Sequence, residues 1–237
     1  MIPAQVNRTA TLGAFALSLA CAPAGGSRQS GESTTVTRAD TAAVATRPAP
    51  TDSNITRADL ARIQGSPSAP LWVIEVSDFQ CPYCKQWHDQ TYNAFVDQFV
   101  KTGKVRLAYV NFPLQSHVHA WPAAEAAMCA GAQGRFWPMH DALFTTQTKW
   151  EALPSPAPVF DSLAQASGVE MRRWRDCVAS GKMKSLIAAD QDRAERAGAN
   201  ATPSFMIGDK ILAGAQPIED LRRIIDSALA KSKSTTP

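Results

Sequence analysis

Two cysteines with two residues between them, Cys81-Pro82-Tyr83-Cys84, have the type and spacing to do chemistry. Thiols so placed can close a reversible disulfide. Upstream, Leu71 to Ser77 (LWVIEVS) is an apolar, β-branched run. Downstream, Tyr92, Phe95, Val96, Phe99 and Val100 recur at three and four residues, so the motif should sit where a strand passes into an amphipathic helix. Pro82 suits the first helical turn, where its missing N–H costs nothing. The free amides and positive dipole end of such a helix stabilise a thiolate, lowering the Cys81 pKa from about 8.5 toward or below 7. Cys81 is therefore the expected nucleophile and leaving group, and Cys84, one turn further in, the less exposed resolving thiol. Glu75 on the preceding strand has two readings: a carboxyl beneath the dithiol that shuttles the Cys84 proton, or a partly exposed strand residue.

Half of a zinc site is the main competing chemistry for a CxxC, but its second half is missing. Cys129 and Cys177 are far apart in sequence, and His117 and His119 fall on a loop, so no metal and no cofactor are expected. A static disulfide is a poorer reading, because closing so small a loop gains little entropy.

The elements that must position these residues follow from pattern. Leu71–Ser77 reads as a central strand, the helix after Cys84 ends at Gly103, and Val105 to Asn111 reads as a second strand parallel to the first. From about 114 to 198 the chain is Ala-rich with helical spacing and no strand-like run, broken by Pro154, Pro156 and Pro158, as in a helical insertion. Ser204–Ile207, a Gly208-Asp209 turn and Ile211–Ala213 read as a hairpin, and Ile218 to Leu229 as a closing amphipathic helix. Thr202-Pro203 reads by itself as a turn proline before a strand. Held cis, it would leave the Thr202 backbone free to pair with an extended peptide.

Thr11 to Ala20 is a short uncharged apolar run ending in small residues, the pattern of an export signal over 1–20. Ser18-Leu19-Ala20-Cys21 resembles a bacterial lipobox, making Cys21 the expected lipidation site, with ordinary cleavage near Ala20 or Ala22 as the alternative. Residues 21–56 are rich in Ala, Gly, Ser, Thr and Pro and read as a flexible tether, leaving 57–237 as the folded domain. The 237 residues are 45% hydrophobic and 19% charged with a net charge of only +3, which is globular composition and argues against nucleic-acid binding. Apart from the N-terminal run nothing approaches the ~20 apolar residues of a bilayer span, so a polytopic membrane protein is excluded.

The strings EVSDFQCPYC, VRLAYVNFPL, AAEAAMCAGAQGRFWPMHDALF and GANATPSFMIG together resemble the DsbA family of disulfide oxidoreductases, in its single-domain bacterial branch. The resemblance covers roughly Ile63 to Leu229. It implies an α/β thioredoxin-like fold with an inserted helical subdomain, Cys81 as the exposed nucleophile, Cys84 as resolving thiol, Glu75 as buried acid, and Thr202-Pro203 as a cis-proline loop facing the dithiol. Some members of the family carry an extra disulfide in the insertion. In an exported protein Cys129 and Cys177 are accordingly expected to pair as a structural bridge worth about 4 kcal/mol, with a second redox relay as the alternative.

The resulting expectation is an exported, periplasmic or envelope-surface oxidoreductase acting on protein thiols or disulfides. It would be re-oxidised by a membrane partner of the DsbB or VKOR kind. A reductase or isomerase of exported thiols, and a non-catalytic peptide-binding chaperone using the same groove, are the alternatives. No separate dimerisation segment is visible, which favours a monomer. Trp87, Trp121, Trp137, Trp150 and Trp174 read as core or rim residues, His88 as solvent-exposed, and Arg172, Arg173 and Arg175 as a solvated helix face.

Overall fold

Largely apolar and β-branched, Leu71–Ser77 forms β2, the middle strand of a five-stranded sheet, buried along most of its length with Trp72 exposed. The computed structural model describes residues 52–234, with side chains as far as Lys231. The export signal, Cys21 and most of the expected tether lie outside the described residues. The sheet runs β1 (Ile63–Gln64), β3 (Val105–Asn111), β2, β4 (Ser204–Ile207), β5 (Lys210–Ala213). β2 and β3 are parallel and the other pairs antiparallel, so the expected parallel pair and hairpin are both present.

The tether ends earlier than residue 56. Asp52 accepts the Asn54 N–H at 2.8 Å and so caps a helix, α1 (Ser53–Ala61), whose Ala58 is buried against the insertion. That single buried position is a small alanine, which no apolar stripe marks. Arg62, just beyond, is buried and spans Asp59 and Asp190, reaching Asp190 Oδ1 at 2.9 Å; Asn111 Nδ2 donates to the same Asp190 at 2.9 Å.

After β2, one helical run from Pro82 to Val100 replaces the simple amphipathic helix expected. It comprises α2 (Pro82–Trp87), a π-helical segment His88–Tyr92, α3 (Asn93–Phe95) and a second π-helical segment Val96–Val100. Gly103 follows with φ +74°, the left-handed stop its position called for. The insertion holds α4 (Ala120–Gly131), α5 (Phe136–Thr145), α6 (Gln147–Trp150), α7 (Ala157–Ala166), α8 (Met171–Ser180) and α9 (Lys184–Arg196). Fully buried Ala123, Ala127 and Ala130 let the helices around α4 approach closely, and Trp174 Nε1 donates to the Ala126 carbonyl at 3.1 Å. The final helix, α10 (Ile218–Ser234), buries Leu221 and Ile225 with Val73, Phe99 and Phe205. Among the described residues no helix is long and apolar enough to cross a membrane.

Candidate active site

Cys81 is the N-cap of α2, in extended conformation (φ −69°, ψ 125°), and Pro82 occupies the first turn, as its chemistry requires. The approach to the helix is fixed by Asp78, which sequence reasoning missed. Its backbone carbonyl accepts the Cys81 N–H at 3.1 Å and its buried carboxylate accepts the Gln80 N–H at 2.7 Å and the Leu114 N–H at 2.9 Å. His117 Nδ1 lies 2.7 Å from the same carboxylate, so the loop after β3 is tied to the dithiol. Gln147 of α6 also went unread; its Nε2 donates to the Phe79 carbonyl at 2.7 Å and the Cys81 carbonyl at 3.1 Å. The only signal for Asp78 was its place in the DFQ string before the cysteines, and Gln147 had none.

Both motif thiols are free. Tyr83 beside them is 63% exposed, but Cys81, expected to be exposed, is itself buried because the cis-proline loop lies over its sulfur. Cys84 is wholly enclosed and its sulfur lies 3.5 Å from the Asp78 N–H. The Thr202-Pro203 peptide bond is cis, and Cys81 Sγ–H donates to the Thr202 carbonyl at 3.4 Å, so the expected loop does face the nucleophile. That bond favours the thiol. Against it stand the Cys84 thiol, the Thr202 hydroxyl and the helix-start N–H groups, of which the Cys84 hydrogen bond contributes most, and they bring the Cys81 pKa down to about 6. Burial, reinforced by the neighbouring Cys81 sulfur, pushes Cys84 up.

Glu75 lies inside, so it is not the partly exposed strand residue of the second reading. It pairs across β2 with Tyr109 on one side and Phe205 on the other, and alternation puts it on the same face as Ser77. Neither carboxylate oxygen has a hydrogen-bond partner, nor do Ser77 Oγ and Tyr109 OH. Burial therefore pushes Glu75 up to about 8, with Ser77 pulling only weakly the other way. The result is a protonated acid on the strand leading into the dithiol, with Ser77 a side chain that acts on both Glu75 and Cys84.

His88 is a correction: the residue expected in solvent is buried, because the helical run widens into its π-helical turn at that position. Trp87, Trp150 and Trp174 are core and Trp121 and Trp137 partly buried, while Arg172, Arg173 and Arg175 form the exposed face expected of them. Cys129 of α4 and Cys177 of α8 form a disulfide with Cα atoms 5.8 Å apart.

A parallel strand pair, a dithiol at the following helix start and a cis-proline loop opposite define a thioredoxin fold, here with helices inserted before the hairpin. The family model described as thioredoxin matches residues 58–227, and the chain belongs to that family. It is 25% identical over 171 residues to the probable disulfide bond formation protein D of Bacillus anthracis, a match covering 70% of this chain and 77% of that one. It is 33% identical over 172 residues to the Na(+)/H(+) antiporter NhaA 3 of Salinispora tropica, covering 72% of this chain. The chain spans about a quarter (25%) of that antiporter's length. Among solved structures, oxidised BdbD from Bacillus subtilis matches with a TM-score of 0.65 at 22% identity, over 71% of this chain and 92% of that one. α-DsbA1 from Wolbachia pipientis matches with a TM-score of 0.65 at 22% identity, over 79% and 95%. The fold is thus that of the DsbA-type branch, as the sequence strings implied.

Proposed function

We propose that the protein is an exported thiol-disulfide oxidoreductase that passes the Cys81–Cys84 disulfide to thiols of other proteins. The observation carrying this reading is the split between the two sulfurs, Cys81 down to about 6 and Cys84 up. In the oxidised enzyme a substrate thiolate attacks Cys81 Sγ, the Cys81–Cys84 bond breaks, and the leaving Cys84 sulfur takes the proton of Glu75. The second substrate thiolate then attacks the substrate sulfur of the mixed disulfide. Cys81 leaves as the stabilised thiolate, and the substrate departs with its new disulfide. Two electrons pass to the enzyme; one substrate proton remains on the enzyme, replacing the one Glu75 gave, and the other goes to solvent.

Stabilising the Cys81 thiolate stabilises the reduced enzyme, which makes the pair more oxidising. That favours donation of disulfides over reduction. Its thiolate is more stable than that of thioredoxin (about 7) and less so than that of the strongest oxidant (about 3.5), so the pair should fall between them. Re-oxidation needs an electron acceptor, for which a membrane redox protein of the DsbB or VKOR kind is the fitting class. Export is supported by the N-terminal apolar run and by the Cys129–Cys177 disulfide, which requires an oxidising compartment. Lipidation of Cys21 would hold the enzyme, as a monomer, at the membrane where that acceptor lies. The relatives named for disulfide bond formation support the same direction.

The test is the equilibrium potential of the Cys81–Cys84 pair in a glutathione buffer. A value between roughly −120 and −200 mV supports disulfide donation, and one near −270 mV makes the protein a reductase of exported thiols.

A further inference from the structure

The chain has four histidines, and two of them, on different helices, meet at one aspartate. His88 is the first residue of the π-helical segment that follows α2, and His140 and Asp141 are on α5. π-helical turns are uncommon and often mark functional positions. Here the wider turn brings His88 against α5. His140 Nδ1 is 2.8 Å from Asp141 Oδ1, His88 Nε2 is 3.5 Å from the same oxygen, and the three donor atoms lie within 4.8 Å of one another. A tetrahedral ion with bonds of about 2.0–2.1 Å holds its ligands about 3.3 Å apart. The triangle brackets that edge.

Both rings converge on that one oxygen. His88 Nδ1 is 3.1 Å from Asp89 Oδ1, a carboxylate that takes the Nδ1–H and orients the ring so that Nε2 faces Asp141. His140 is fully enclosed among Phe79, Tyr109 and Phe144, its Nε2 has no hydrogen-bond partner, and its Nδ1 points at Asp141. In the metal-free protein, protons on the two imidazoles bridge them to the carboxylate and hold Asp141 below the usual carboxylate range. A divalent cation would displace those protons and take the same three atoms as ligands. Lys85 is engaged elsewhere, by Asp89 at 2.9 Å and by the Phe144 carbonyl at 2.9 Å. Asp141 is half-exposed, which leaves an open side for entry and for water as the fourth ligand.

We infer that His88, His140 and Asp141 form a binding site for a zinc-class divalent cation that clamps the helix following the dithiol to the helical insertion. The inference is independent of the direction of the redox reaction. The thiols of Cys81 and Cys84 would themselves take zinc, so the test uses the oxidised protein, in which both are blocked. Calorimetric titration with zinc chloride should show one ion per chain and a melting temperature that rises with zinc concentration. Cobalt(II) in its place should give the visible spectrum of a tetrahedral nitrogen-and-oxygen site free of sulfur. Asp141→Ala, at a half-exposed position that leaves the fold intact, and His88→Gln should each weaken binding at least about tenfold, the usual scale for a lost ligand or its support. Absence of saturable one-to-one binding to the oxidised wild type, or binding that Asp141→Ala leaves unchanged, overturns the assignment.

Discussion

The two cysteine pairs are buried to nearly the same degree, yet one is a free dithiol and the other a closed bridge. Cys129 sits within α4 among alanines and Cys177 within α8, where backbone N–H groups are consumed by the helices. Cys81 sits at a helix start, with free N–H groups, the Cys84 thiol and the Thr202 hydroxyl around its sulfur. Burial alone would raise Cys81 as it raises Cys84. What separates the pairs is the supply of hydrogen-bond donors to one sulfur, and so its ability to leave as a thiolate.

The sharpest way to break this contrast is to remove the insertion bridge. Replacing both Cys129 and Cys177 with Ser opens a loop with a sequence separation of 48, worth about 4 kcal/mol in the chain-entropy model. Urea unfolding should show a loss of that order, while the potential of the Cys81–Cys84 pair stays where it was. A potential that moves with the bridge would mean that the two pairs are coupled and that the insertion is a second redox element.

The same contrast explains what was legible from sequence. Strand β2, the helix start at Cys81 and the hairpin follow from apolar runs and from Pro, Gly and Cys at fixed offsets, which act locally, whereas the cis-proline loop followed only from the family resemblance, since Thr202-Pro203 by itself reads as a turn proline. α1 was lost because its one fully buried residue, Ala58, is small and one of its two large apolar residues, Leu60, faces solvent, so no clear apolar stripe shows. His88 was misplaced because an ideal α-helical period does not announce a π-helical turn. Asp78 and Gln147 act through backbone groups of other segments, and a sequence shows a side chain's donors but not the distant carbonyls they reach.

Glu75 extends the contrast below the dithiol. Its folded pKa of about 8 stands above the ordinary 4.5, so between those values the folded chain holds a proton that the unfolded chain has released. Stability must then fall as pH rises through that window, with no effect below it and the full penalty above. At about 1.4 kcal/mol per pKa unit, even half of the shift amounts to roughly 2 kcal/mol. The oxidised protein, in which neither motif cysteine titrates, should lose stability from pH 5 to 8 in excess of a Glu75→Gln variant measured alongside it. Parallel curves would show that water or a rotated Tyr109 or Ser77 hydroxyl already satisfies the carboxylate.

The finest test concerns one hydroxyl. Thr202 Oγ1 is buried and unpartnered while Cys81 is a thiol, because the thiol proton goes to the Thr202 carbonyl instead. Once that proton leaves, the carbonyl repels the sulfur and the hydroxyl is the side-chain donor on the cis-proline loop that can turn to it. Valine has nearly the shape of threonine without the donor. Thr202→Val should therefore raise the Cys81 pKa by up to about one unit, the worth of a single hydrogen bond of roughly 0.5–1.5 kcal/mol, as followed by thiolate absorbance during a pH titration. Cys84 should keep its raised pKa, since burial is its main cause. A Cys81 pKa that does not move would place the whole stabilisation on the Cys84 thiol and the helix N–H groups, and the contrast between the pairs would then rest on the helix start alone.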